Sequence, residues 1–129
     1  MHEEDPIMRS TILASLLIVA SPAAAQAAAD EPGEIIFNNH CRKCHTVKQG
    51  DNRLAPSLYG IVGKKAGQVE GFKGYSGGLE GITWDEATLD KFIADPASVA
   101  SNTNMIYPPV TDAAERKKII EFLKQSGGS

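Results

Sequence analysis

Both cysteines of this 129-residue chain fall in one run, Cys41-Arg42-Lys43-Cys44-His45, beside two of its three histidines. Three chemistries use such a pair. A dithiol redox pair expects a strand–helix–strand setting, and no alternating apolar run precedes Cys41. A structural zinc ion needs about four ligands in a tetrahedron. Only His40, Cys41, Cys44 and His45 stand together, with no distant pair to close that site. In the third chemistry, covalent haem attachment, two thiols three residues apart each add to one vinyl group, and the next residue, His45, binds the iron from one face. The pentapeptide fits this third reading best.

An iron held by His45 needs a ligand on its other face, and Met, His or Lys are the usual choices. Of three methionines, Met1 and Met8 fall in an N-terminal segment that reads as a signal, which leaves Met105. Its polar lead, Ser101-Asn102-Thr103-Asn104, fits poorly with the alternative role of core filler. His40 adjoins Cys41 on the same side of the attachment site as His45, and His2 belongs to the signal segment.

Arg9, the apolar run Ile12 to Ala20 and the small residues around Ala25-Gln26-Ala27 have the order of a secretory signal. That run is about half of the roughly 20 residues a membrane span needs, although an uncleaved anchor is the alternative. Glu3, Glu4 and Asp5 are unusual ahead of a signal, so the expected start is Met8. The expected organisation is a signal peptide over 1–27, cleaved near 25–27, and one functional domain over 28–129. Cleavage leaves 12 Lys and Arg against 13 Asp and Glu. A net charge of −3 on the full chain excludes the basic footprint of a nucleic-acid binder.

The elements that must position these residues are helical. Asp30-Glu31-Pro32 is a helix start, with acidic residues and a proline for the first turn. Ile36, Phe37 and His40 follow at helical spacing. Residues 50–81 carry nine of the twelve glycines and no sustained periodicity. So long a loop suits a compact domain when it wraps a rigid cofactor. Asp85 to Ala94 forms a helix with Leu89, Phe92 and Ile93 on one face, stopped by Asp95-Pro96. Thr111 is the expected cap of a last helix with the stripe Ile119, Ile120, Phe122 and Leu123. No segment alternates as a strand, so the expected fold class is all-α.

From about Gly33 to Leu123 these residues resemble the class I cytochromes c, in particular the mitochondrial and bacterial cytochrome c2-like members. Gly33 and Phe37 match the small and aromatic positions where the first helix crosses the last, matched there by Ile119 and Phe122. Ala55-Pro56-Ser57-Leu58 resembles the segment whose proline carbonyl accepts a hydrogen bond from the ligand histidine. Gly74-Tyr75-Ser76 and Gly81-Ile82-Thr83-Trp84 resemble the region where Tyr75 and Trp84 bond the haem propionates. The step from Pro96 to Met105 also suits the family. The resemblance implies one covalently bound haem c, attached at Cys41 and Cys44, with His45 and Met105 as axial ligands and no catalytic residues. It implies a monomeric periplasmic carrier of single electrons. Its partners would be a quinol–cytochrome c oxidoreductase, a dehydrogenase, an oxidase or a photosynthetic reaction centre, with no small-molecule substrate and no nucleic acid.

The chain departs from that family in places. Ser101-Asn102-Thr103 replaces the Pro-Gly-Thr lead into the methionine, which loosens the ligand loop. Phe92 replaces a tyrosine whose hydroxyl can bond the methionine sulfur. Ala97, Ser98 and Asn104 stand where mitochondrial members carry docking lysines. Lys43, Lys48, Lys64, Lys65, Lys73, Lys117 and Lys118 are the remaining candidate contacts, though any one of them suits an ordinary solvated surface. Two other roles follow from these departures: a haem subunit of a periplasmic dehydrogenase, or a gas-binding or peroxidase cytochrome with a labile Met105.

Overall fold

The computed structural model describes residues 31–127. The expected signal peptide and the Met8 start lie outside the described residues. Four helices follow one another: α1 (Gly33–His40), α2 (Glu86–Ala94), α3 (Pro96–Val99) and α4 (Ala113–Gln125). Among the described residues the single β-type pairing is the bridge between Lys65 and Thr83. The fold is all-α, as the apolar periodicities require.

In α1 the Pro32 carbonyl accepts from the amides of Ile35 and Ile36 at 3.0 and 3.2 Å. Pro32 is thus the cap just outside the helix rather than part of its first turn. Glu34 faces the positive end of the helix dipole. Ile36 and Phe37 are buried and lie against α4, whose Ile119 is fully buried and Leu123 nearly so. The two backbones approach so closely that a Cβ on Gly33 would stand 2.5 Å from the Lys118 carbonyl oxygen. Phe37 and Phe122 complete the crossing, with ring centroids 5.3 Å apart.

The cap of α4 is Asp112, not Thr111. Its carboxylate accepts from the amides of Ala114 and Glu115 at 2.7 and 3.2 Å. The Thr111 carbonyl instead accepts from Arg116 at 2.9 Å. A carboxylate at this end is favoured by the helix dipole as well as by its hydrogen bonds. Arg116 also meets Asp90 of α2 at 2.7 Å and the Val110 carbonyl at 3.0 Å. One guanidinium therefore joins α2, α4 and the segment between them.

Asp85 caps α2 by accepting from the Thr88 amide at 2.7 Å. The helix stops at Ala94 because Pro96 has no N–H to continue it. Pro96 then opens α3, a single turn absent from the sequence expectation. Its preset φ suits the first helical position, and the Ser98 hydroxyl donates to the Asp95 carbonyl at 2.7 Å.

The long loop returns on itself beside the bridge. Ala66 donates to Ile82 at 2.9 Å, Gly63 to Trp84 at 2.8 Å and Trp84 to Lys64 at 2.8 Å. Buried Ile61, Trp84 and Leu89 continue the α1–α4 core into this region. After α4 the chain lies on the loop: a Cβ on Gly127 would stand 2.5 Å from the Gly60 Cα.

Candidate functional site

One largely apolar cavity of about 360 Å³ is lined by Cys41, Cys44, His45 and Met105 together. Leu58, Ile61, Val69, Leu89, Phe92 and Ile93 contribute apolar wall. At its mouth Leu54 is 81% exposed and Ile106 94% exposed. A second, more polar cavity of about 450 Å³ lies within the loop and shares Gly67, Tyr75, Ser76 and Leu79 with the first. The larger volume holds none of the thiol, imidazole or thioether groups, so the chemistry belongs to the smaller one.

The end of α1 fixes the cysteines. The Cys41 amide donates to Phe37 at 2.7 Å, and the amides of Cys44 and His45 donate to the Cys41 carbonyl at 3.1 and 3.0 Å. That tight turn sets both sulfur atoms and the imidazole along one wall. The two cysteines are not joined to each other. Burial pushes the Cys41 thiol up to about 12. This is the opposite of the depressed thiol that a redox pair uses.

His45 Nδ1 lies 2.8 Å from the Pro56 carbonyl oxygen. Burial lowers its pKa, and the Pro56 bond works the other way. A neutral ring bonded to a carbonyl carries its proton on Nδ1, which leaves the Nε2 lone pair free for a metal. The segment carrying Pro56 is held on both sides. The Ala55 amide donates to Cys44 at 3.2 Å and the Leu58 amide to Thr46 at 2.8 Å. Asn52 accepts from the Ser57 amide and donates to the Glu70 carbonyl, each at 2.9 Å. Asn52 was not singled out by its sequence, where it looks like any turn asparagine.

Met105 is half-buried and follows α3 by a short turn. Thr103 donates to Ala100 at 3.0 Å, and the Thr103 hydroxyl accepts from the Met105 amide at 3.1 Å. Phe92, which stands in the cavity wall, packs on Trp84 with centroids 4.8 Å apart. Tyr75 and Trp84 also line the cavity. The Tyr75 hydroxyl accepts from the Val69 amide at 3.0 Å, so its own proton remains free to donate. Burial raises its pKa, and the Val69 bond opposes this. Among the described residues nothing accepts the Trp84 indole proton, and the nitrogen is not sealed in the core. His40 Nε2 faces Glu115 at 3.2 Å and so ties α1 to α4.

The residues present fit a haem. Two thiols and an imidazole occupy one short turn, a thioether lines the same cavity, the walls are apolar, and two ring donors lack acceptors. An all-α fold with this donor set defines a c-type cytochrome. The comparisons agree: the family model Cytochrome c matches residues 31–127. Cytochrome c2 of Blastochloris viridis is 37% identical over 123 residues, covering 92% of this chain and 94% of its own. Cytochrome c2 iso-2 of Magnetospirillum molischianum is 41% identical over 85 residues, 65% of this chain and 88% of its own. The solved structure of cytochrome cH from Methylobacterium extorquens superposes with a TM-score of 0.66 at 37% identity, covering 77% of this chain and 97% of that one.

The chain belongs to the class I cytochrome c family. It is an electron carrier with one covalently bound haem c, not an enzyme, and it exchanges electrons with redox partners. No helix of the described residues is long and apolar enough to cross a membrane.

Proposed function

We propose that Cys41 and Cys44 are the thioether anchors of the haem and that His45 and Met105 are its axial ligands. Tyr75 and Trp84 donate to its propionates. The observation that carries this reading is the single cavity lined by all four sulfur and nitrogen donors, with His45 already oriented by Pro56. Haem supplies a one-electron iron couple. His45 and Met105 would hold the iron, and because imidazole and thioether suit either oxidation state, this chain's own residues would have little to rearrange. By accepting the Nδ1–H hydrogen bond, the Pro56 carbonyl leaves more electron density on the ring and strengthens Nε2 as a donor. The apolar wall excludes water and disfavours the more highly charged state, and methionine ligation acts in the same direction, towards a higher potential.

The carrier works in the periplasm, reached through the signal of residues 1–27. It takes electrons from a quinol-oxidising complex or a dehydrogenase and delivers them to an oxidase or a reaction centre, as a monomer. Arg9, the apolar run to Ala20 and the small residues after it support export.

Absorption spectra of the holoprotein in both oxidation states, with and without CO, test the ligation. The expected result is a low-spin spectrum with the weak ferric methionine-to-iron band, unchanged by CO. Absence of that band together with rapid CO binding would sink Met105 as a ligand and leave an open iron.

A further inference from the structure

The segment that presents Met105 is anchored firmly at both ends and lightly between them. At one end Ala100 is fully buried and accepts from Thr103. At the other, Val110 is 5% exposed, its amide donates to Ile93 at 3.2 Å and its carbonyl accepts from Arg116. Among the described residues, three hydrogen bonds connect residues 101–109 to distant parts of the chain. Asn104 supplies two of them. Its amide donates to the Ser76 hydroxyl at 3.1 Å, 28 residues away, and its side-chain amide donates to the Gly74 carbonyl at 3.4 Å. The third, from the Tyr107 hydroxyl to Asn39, is long at 3.5 Å. Beside the Asn104 pair the two strands of chain touch: a Cβ on Gly78 would stand 3.5 Å from the Asn102 amide nitrogen.

We infer that Ser76 and Asn104 form a clasp that sets how often Met105 leaves its position, so that Ser76 is a positioning residue for the thioether although it does not touch it. The inference rests on Met105 being the axial ligand. Ser76 is suited to this part because its oxygen accepts from the backbone immediately before Met105, while Thr103 accepts from the Met105 amide itself. These two hydroxyls fix successive peptide groups. The sulfur's freedom is then set by the opening of one short stretch rather than by unfolding of α3 or α4. Local openings of this kind cost much less than global unfolding when few contacts hold the segment.

The test uses the ferric holoprotein with imidazole as an external ligand, whose uptake is limited by departure of the methionine. Ser76→Ala is expected to speed uptake roughly fivefold, the size of one net hydrogen bond, and Ser76→Thr to restore the wild-type rate. Amide exchange at Asn104 should accelerate in parallel, while the denaturant midpoint changes little. Ser98→Ala removes a comparable hydroxyl bond in the adjacent turn, outside the segment, and should leave the uptake rate unchanged. Equal acceleration by Ser98→Ala, or none by Ser76→Ala in a protein that retains the ferric methionine band, would overturn the clasp alone. Failure of Met105→Ala to abolish that band would overturn the ligand assignment and the clasp with it.

Discussion

Asn52 shows how much of the site depends on a side chain that touches none of the donor atoms. Its amide joins the turn carrying Pro56 to the Glu70 region, and Pro56 in turn fixes the ring of His45. Asn52→Ala deletes both bonds, and we expect a loss of about 2 kcal/mol, measured by denaturant unfolding of the holoprotein. Asp85 carries a pH-dependent contribution. The bonds from Thr88 lower its pKa below the usual carboxylate value. The stabilisation is therefore complete above the unfolded value and disappears as pH falls through the lower folded value. Asp85→Asn keeps a cap and removes the charge. Its thermal midpoint should lie below that of the wild type above about pH 5 and converge with it near about pH 2. A deficit that persists unchanged in acid would show that the carboxylate charge is not its source.

At the scale of elements, the crossing of α1 and α4 has the least tolerance. Gly33→Ala brings a methyl group to 2.5 Å from backbone, which cannot swing aside as a side chain can. Overpacking of this kind costs about 1–3 kcal/mol, and a denaturant titration should show it. Asp112→Ala should cost about 1 kcal/mol, whereas Thr111→Ala should be nearly silent in the same assay. These elements were largely legible from the sequence, because α1, α2 and α4 each bury an apolar stripe at helical spacing. The misreadings have definite causes. Four residues of α3 are too few to display a period. Thr111 and Asp112 are both good caps, and the choice between neighbours depends on where the backbone turns. The pentapeptide and Met105, singled out because their chemistry is rare in this chain, line one cavity. The partners of Asn52, Asn104 and His40 could not be read, since they lie far apart in sequence and follow no spacing rule.

For the whole molecule, charge decides how partners are met. Residues 28–129 carry 12 basic and 13 acidic side chains, a near balance that gives little long-range field to steer encounters. Electrostatic steering is what makes association rates fall steeply with salt. Electron-transfer rates to a physiological partner should accordingly change little between about 10 and 150 mM salt, a range over which the Debye length shrinks from about 30 to 8 Å. A steep fall in rate by stopped-flow would mean that local clusters of lysine outweigh the net charge.

The pairing of α1 with α4 also fixes an order of events during synthesis. The helix that leads into Cys41 is made early, and the helix that closes over it is made last. The contacts with Ile119, Phe122 and Leu123 that help bury Ile36 and Phe37 form only once α4 is present. The α1–α4 contacts therefore join an early segment of the chain to a late one, and the turn bearing both thiols gains its packed neighbour only when the two helices meet.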